Sequence, residues 1–183
     1  MADNIAVIKL PDTGTAGQGA ELAEAVIRRL GAADWATFRT VRLAALRDAP
    51  EAFGSTARDA EQLDEAEWRR RVEGRALFLA QVALQNAGLA AGIAADHPRD
   101  AELISMWVAP DWRGQGVGDR LVEAVLAWAA GERFATVRLW VADGNARAER
   151  LYARHGFVSS GRQQPMGGAR SGRLEFEMRR VVG

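Results

Sequence analysis

The chain has 183 residues, 48% of them hydrophobic and 26% charged, which predicts one soluble globular domain and excludes collagen, coiled coil and disorder as descriptions of the whole. Lysine plus arginine equals aspartate plus glutamate at 24 each, so no basic surplus predicts a grip on nucleic acid or anionic lipid. The absence of cysteine excludes disulfides, thiolate metal sites and a cysteine nucleophile, and two histidines exclude a three-histidine metal site.

Residues 11–19, PDTGTAGQG, are turn and linker chemistry, so residues 1–20 read as a mobile appendage and 21–183 as a single domain. The opening residues lack the apolar core of a secretory signal. No apolar run approaches the ~20 residues of a membrane helix, so a cytoplasmic protein without a membrane partner is expected. The segment 23–30 reads as a short strand before Gly31, with Asp34 as candidate cap for a helix over 34–49. Trp35, Phe38, Val41, Ala45 and Ala49 recur there at three and four, one helical face. Pro50 ends it. A second, charged helix is expected over 59–73, with Leu63 and Trp68 inward and Gly74 closing it.

The period then changes to that of strands. The runs 76–84 and 88–96 flank Gln85-Asn86-Ala87 and predict a β-hairpin. A third strand follows over 102–109, ended by Pro110, which has no N–H for a ladder. A helix over 115–130, a strand over 136–142 and a helix over 145–155 closed by Gly156 come next. Phe157-Val158 and 174–182 are strand-like, joined by a Gly/Arg-rich loop. The order predicts mixed α/β architecture with an antiparallel start, one βαβ crossover and about four helices.

The junction between the strand at 102–109 and its following helix carries the strongest signal. Arg113, Gly114, Gln115, Gly116, Val117 and Gly118 place glycines where a helix begins. Backbone N–H groups there approach a phosphate closely, and the helix N-terminus adds unpaired donors and a positive dipole end. A dinucleotide fingerprint fails because the third glycine comes one place early, and a P-loop fails because the only lysine is Lys9.

Arg113-x-x-Gly116-x-Gly118 resembles motif A of the GCN5-related N-acetyltransferases, the GNAT family. The resemblance continues through Asn145, Tyr152, Gly156 and Phe157, spaced N-x(6)-Y-x(3)-GF, and covers about residues 25–182. It implies a mostly antiparallel sheet splayed between the strands at 102–109 and 136–142, where Pro110 ends pairing. It also implies acetyl-CoA as acyl donor, with the pyrophosphate on the backbone of 113–118 and the backbone of Met106 and Val108 holding pantetheine and polarising the thioester carbonyl. Tyr152, the only tyrosine, would protonate the leaving thiolate, and Asn145 would bind pantetheine or order its helix; a plain N-cap is the other reading of Asn145. Glu102 is the candidate base, with water as the alternative and Asp96 and His97 as weaker candidates.

Ser105 and Trp107 alternate with Ile104 and Met106, so one strand face is expected to line the acceptor cleft. Phe53, Trp68 and Trp107 are candidates for an aromatic wall or for core. Arg162, Arg170 and Arg173 make the 162–173 loop a candidate lid for an acceptor bearing carboxylate or phosphate. The expected activity is direct transfer to a primary amine, of a small molecule or of a protein N-terminus or lysine; a non-catalytic acyl-CoA-binding domain is the reading from another class. A homodimer is compatible with the resemblance.

Overall fold

The computed structural model describes residues 24–167 and 172–182. The appendage expected at 1–20 and Arg170 of the expected lid lie outside these residues. Seven strands form one mixed sheet: β1 (Val26–Leu30), β2 (Ala76–Val82), β3 (Gln85–Ala94), β4 (Asp100–Val108), β5 (Thr136–Ala142), β6 (Val158–Pro165) and β7 (Leu174–Val181). Their spatial order is β1-β2-β3-β4-β5-β7-β6, antiparallel throughout except for β4 against β5. Helices α1 (Trp35–Asp48), α2 (Ala57–Glu61) and α3 (Glu65–Glu73) cover one face; α4 (Val117–Gly131) and α5 (Ala146–Arg154) cover the other.

Strand β2 shows why the sheet is sandwiched. Leu77 and Leu79 pack with Phe38, Val41 and Trp68 of α1 and α3, while Phe78 and Ala80 pack with Leu121 and Val125 of α4. A strand apolar on both faces needs cover on both. Gly92 lets α4 approach: a Cβ there would lie 2.2 Å from the Trp128 ring.

Three boundaries differ from expectation for physical reasons. The hairpin turns at Ala83 and Leu84, both at positive φ (47° and 66°), ahead of the Gln85-Asn86-Ala87 signal. Asn86 instead sits within β3, accepting from Gln81 across the pair (3.2 Å). The expected helix 59–73 is two helices, because Asp64 starts a new one: its carboxylate accepts from the Glu67 N–H (2.8 Å) while Glu67 accepts from the Asp64 N–H (2.9 Å). That reciprocal box was present in the sequence as Asp64-x-x-Glu67. Lastly, β6 runs through Arg162 to Pro165, pairing with β7, where a loop was expected from 162.

The parallel pair β4–β5 is short. Only Asp100↔Thr136, Ala101↔Val137 and Glu102↔Arg138 are in register. The strands thus part after Glu102, well before Pro110. The cause lies in β4: Ile104 faces Ala91 and Trp107 faces Leu89, so Ser105 and Met106 together oppose Ala90. This bulge, with Ser105 at φ 57°, bends β4 away from β5.

Candidate active site

The divergence of β4 and β5 opens a cleft with two lobes. One lobe, about 660 Å³, is bounded by β4 residues Leu103–Val108, the loop at Gly114 and Gly116, the start of α4, and α5. The other, about 600 Å³, lies over Glu102, Arg138 and Glu175 on the sheet and under α1 and α3. Ala52, Phe53, Leu103, Ile104, Ser105 and Trp140 border both, so the lobes meet at the bulge.

The first lobe contains a glycine cradle. Gly114 and Gly116 adopt φ 79° and 81°, and a Cβ on either would meet nothing within 4 Å. These positions are glycine because of backbone conformation and because open space lies over them. The bond from the Arg120 N–H to the Gly116 carbonyl (3.2 Å) opens α4. Donors ahead of it therefore have no acceptor within the helix, and the positive end of the dipole faces the same lobe.

The residues of the motif divide by role. Val117 is buried in the core, so only its backbone can serve the cradle. Gln115 is exposed, does not border the lobe, and donates its side-chain amide to the Asp111 carbonyl (2.7 Å). Gly118 permits packing: a Cβ would lie 3.3 Å from Leu151 and 3.6 Å from Met106. Arg113 borders the lobe, but its side chain holds the frame. Nε donates to the Val108 carbonyl (2.9 Å), and the guanidinium pairs with Asp48, which also accepts from the Trp107 indole (2.8 Å). Its N–H is taken by Pro110 (3.2 Å). Thus the Val108 carbonyl already accepts one bond from Arg113, and the Arg113 N–H is bonded within its own turn.

Helix α5 supplies the other wall. Asn145 is its N-cap, accepting from the Ala148 N–H (3.2 Å), and borders the lobe with Tyr152. The Tyr152 ring is core, stacked edge-on against Phe157 with centroids 5.8 Å apart, while the residue still borders the cleft. Burial pushes its phenol well above the usual range, so it keeps its proton. Asp119 on α4 binds Arg154 (2.8 Å) and His155 (3.0 Å), fixing α5 against the cradle helix. Burial opposes ionisation of Asp119, but these two hydrogen bonds outweigh it and hold the carboxyl below its ordinary value. Sequence reasoning missed Arg147 and Arg150, which also border this lobe. Their spacing with Arg154 along one helix face was a readable signal.

Glu102 borders the second lobe, across the shared wall from Tyr152. Burial pushes its carboxyl up, and the Arg138 guanidinium (Nε to Oε2, 3.0 Å) only partly offsets that. Asp96 is almost fully exposed and binds the same arginine (3.2 Å). His97 is exposed and borders neither lobe. Consecutive β4 residues on both sides of Ser105 border the cleft, so its wall does not follow the expected alternation. Trp68 and Trp107 are core, whereas Phe53 and Trp140 line the cleft; Trp140 was missed. Arg162 pairs with the fully buried Glu177 (3.4 Å), and Arg173 donates to the Asp143 and Glu51 carbonyls (3.1 and 3.4 Å). Two of the three lid arginines are therefore fastened down. Among the described residues, no cluster of side chains fits a metal, and no helix is long and apolar enough to cross a membrane.

Residues 38–157 match the profile described as Acetyltransferase (GNAT) family. A 58-residue stretch, 32% of this chain, is 34% identical to an uncharacterized N-acetyltransferase of Archaeoglobus fulgidus, and spans 40% of that relative. The fold matches the acetyltransferase of GNAT family from Streptococcus pneumoniae at TM-score 0.70 and 24% identity, over 87% of this chain and 100% of that one. It also matches spermidine N-acetyltransferase from Vibrio cholerae, solved with CoA and spermine, at TM-score 0.68 and 19% identity, over 86% and 95% of the two chains.

Proposed function

Because this chain belongs to the GNAT acetyltransferase family, we propose that it moves the acetyl group of acetyl-CoA directly to the primary amine of a small molecule. One observation carries this reading: β4 and β5 part at a bulge that joins a phosphate-type cradle to a second, separate lobe. Two reactants can therefore enter from opposite sides and meet at Ser105.

The residues present fit the donor. Gly114 and Gly116 leave open space over a helix N-terminus for the pyrophosphate, with Arg147 and Arg150 adding positive charge at the mouth. The thioester supplies an activated acyl group. Transfer breaks its C–S bond and forms a C–N bond; an ammonium acceptor gives up two protons, one before attack to free its lone pair and one as the amide forms, and the leaving thiolate takes up one. Glu102 accepts from the ammonium, directly or through water, and its raised pKa brings it nearer the pH at which a base is effective. Tyr152 holds a proton beside the donor lobe for the leaving thiolate. Holding both reactants at one gap lowers the entropic part of the barrier. The acceptor lobe, at about 600 Å³, has the volume of a small-molecule site, and the loop at Gly54 closes against the Gly167 carbonyl beside it.

The test is thiol release from acetyl-CoA with a panel of small amines, repeated with peptides bearing a free N-terminus or lysine. Turnover of a small amine above every peptide supports the proposal; turnover of peptides alone overturns the small-molecule reading.

A further inference from the structure

Three arginines converge on the acceptor lobe from its helical side: Arg42 of α1, Arg71 of α3 and Arg75 just beyond α3. Among the described residues, none of the three guanidiniums makes a hydrogen bond or an ion pair with a protein group, whereas Arg138 and Arg162 of the same lobe are both paired. Arg42 is largely buried. Its guanidinium lies over the Phe53 ring, 4.4 Å from the centroid, and one of its terminal nitrogens is buried without any partner. Burial first, then Arg75 and Arg71, pushes its pKa down to about 10. It remains charged at neutral pH all the same.

A buried guanidinium without a counter-charge is costly, and like charges beside it add to the cost. An apolar side chain would suit stability better at position 42. The opposite, sheet wall carries the carboxylates Glu102 and Glu175 together with Arg138 and Arg162, whose charges are already paired with Asp96, Glu102 and Glu177. The lobe is thus bipolar, with acid next to the gap between β4 and β5 and unpaired base away from it.

We propose that Arg42, Arg71 and Arg75 form an anion subsite, so that the acceptor is a small amine that also carries a carboxylate or a phosphate. This rests on the acetyl-transfer reading above. The ammonium lies toward Glu102 and the bulge, where it meets the acyl group, and the anionic group lies among the guanidiniums. Arginine suits that role because its planar fork gives two parallel hydrogen bonds to either oxyanion. The same charges disfavour a polycationic acceptor: a second ammonium would be driven into the arginine cluster.

The experiment compares matched amines in thiol release: β-alanine against β-alaninamide, and phosphoethanolamine against ethanolamine, with spermidine as the polycation. The wild-type chain is expected to favour the anionic member of at least one pair by about tenfold or more in kcat/KM, chiefly through KM. Which pair shows the preference separates carboxylate from phosphate. In Arg42→Met and, separately, Arg75→Gln, that ratio should fall below about threefold, close to the effect of a single lost charge contact in water. Arg42→Met should also melt higher than wild type, because it removes an uncompensated buried charge. Equal rates within both pairs, or spermidine as the best acceptor, overturns the proposal. If no amine is turned over, the transfer reading fails while the subsite is still decided. Calorimetry with β-alanine and inorganic phosphate on the CoA-saturated chain must then show binding that Arg42→Met weakens at least about tenfold, and absence of such binding overturns the subsite.

Discussion

The two lobes of the cleft are built in opposite ways. The donor lobe is contiguous in sequence: Leu103 to Asp119 provide one wall and Asn145 to Arg154 most of the other. Much of its chemistry is backbone, presented by glycines at positive φ and by the first turn of α4. The acceptor lobe is gathered from distant segments: Arg42, Phe53, Arg71, Arg75, Glu102, Arg138, Arg162 and Glu175. Its chemistry is side chains that converge only after folding. Backbone binding demands particular residue types in consecutive order and therefore leaves a motif. A side-chain pocket needs only that separate elements pack at the right place, and leaves none.

If the donor lobe is as specialised as this contrast implies, its largest kinetic effect comes from one oxygen. Tyr152→Phe keeps the ring against Phe157 and removes the proton that burial retains. The expected loss is about 10²–10⁴ in kcat, or roughly 3–5 kcal/mol of barrier, with acetyl-CoA affinity close to wild type. Steady-state rates at saturating acetyl-CoA check this, and a loss under about threefold would assign Tyr152 to the core alone.

Gly116→Val tests whether backbone does the binding. The position sits at φ 81°, where a β-branched residue is strained, and its side chain would enter the open space over the cradle. Acetyl-CoA affinity measured by calorimetry should fall about 100-fold or more, equivalent to ~2.7 kcal/mol. Unchanged affinity would move the pyrophosphate elsewhere.

Glu102→Gln carries the same question to the acceptor side. A base works in its ionised form, so activity falls as pH drops through the Glu102 pKa. Burial raises that pKa despite Arg138, which shifts the acid limb of kcat/KM toward neutrality. The variant should lose about 10–100-fold in kcat/KM and should lack that limb. The stability sign runs the other way. A carboxyl with a raised folded pKa favours its neutral form in the fold, so it stabilises at low pH and loses that contribution as pH rises. Relative to wild type, the Gln variant should therefore gain melting temperature as pH rises from acid to neutral. A persistent acid limb in the Gln variant would transfer the base role to water or to another group.

How much was legible follows the same division. The strand at 136–142 was read to the residue, and apolar spacing picked out Phe38, Val41 and Ala45 of the buried face of α1, but not Leu43 and Leu46. The split of the sheet was implied by family resemblance, but its place was read at Pro110, whereas the strands part after Glu102. That parting depends on Ser105 adopting a left-handed conformation that serine seldom takes, and no local residue signals that. Arg113 was visible as part of a motif, yet its partner Asp48 lies on α1 and is seen only once β4 and α1 are packed. Phe53 and Glu102 were singled out one at a time. That they share a cavity with Arg42, Arg71 and Arg75 is a property of the tertiary structure.

The smallest expected effect bears on where the donor lobe ends. Asn145 caps α5 through its Oδ1, which accepts from the Ala148 N–H at 3.2 Å, and it also borders the cleft. As a cap alone, Asn145→Ala should cost about 1 kcal/mol of unfolding free energy, a shift of roughly 2–4 °C in Tm for a chain of this size. Acetyl-CoA affinity would then stay within about threefold, since the cradle glycines are untouched. A loss of tenfold or more would mean that the amide also touches the donor. Asn145→Asp separates the two roles further. It keeps the cap acceptor and adds a negative charge that the helix N-terminus favours, so stability should hold. The same charge beside Arg147 and the cradle should weaken acetyl-CoA binding only if the donor's phosphates or pantetheine pass close to it. Equal affinity in all three proteins would confine Asn145 to the helix end and leave Tyr152 as the side chain through which α5 reaches the donor.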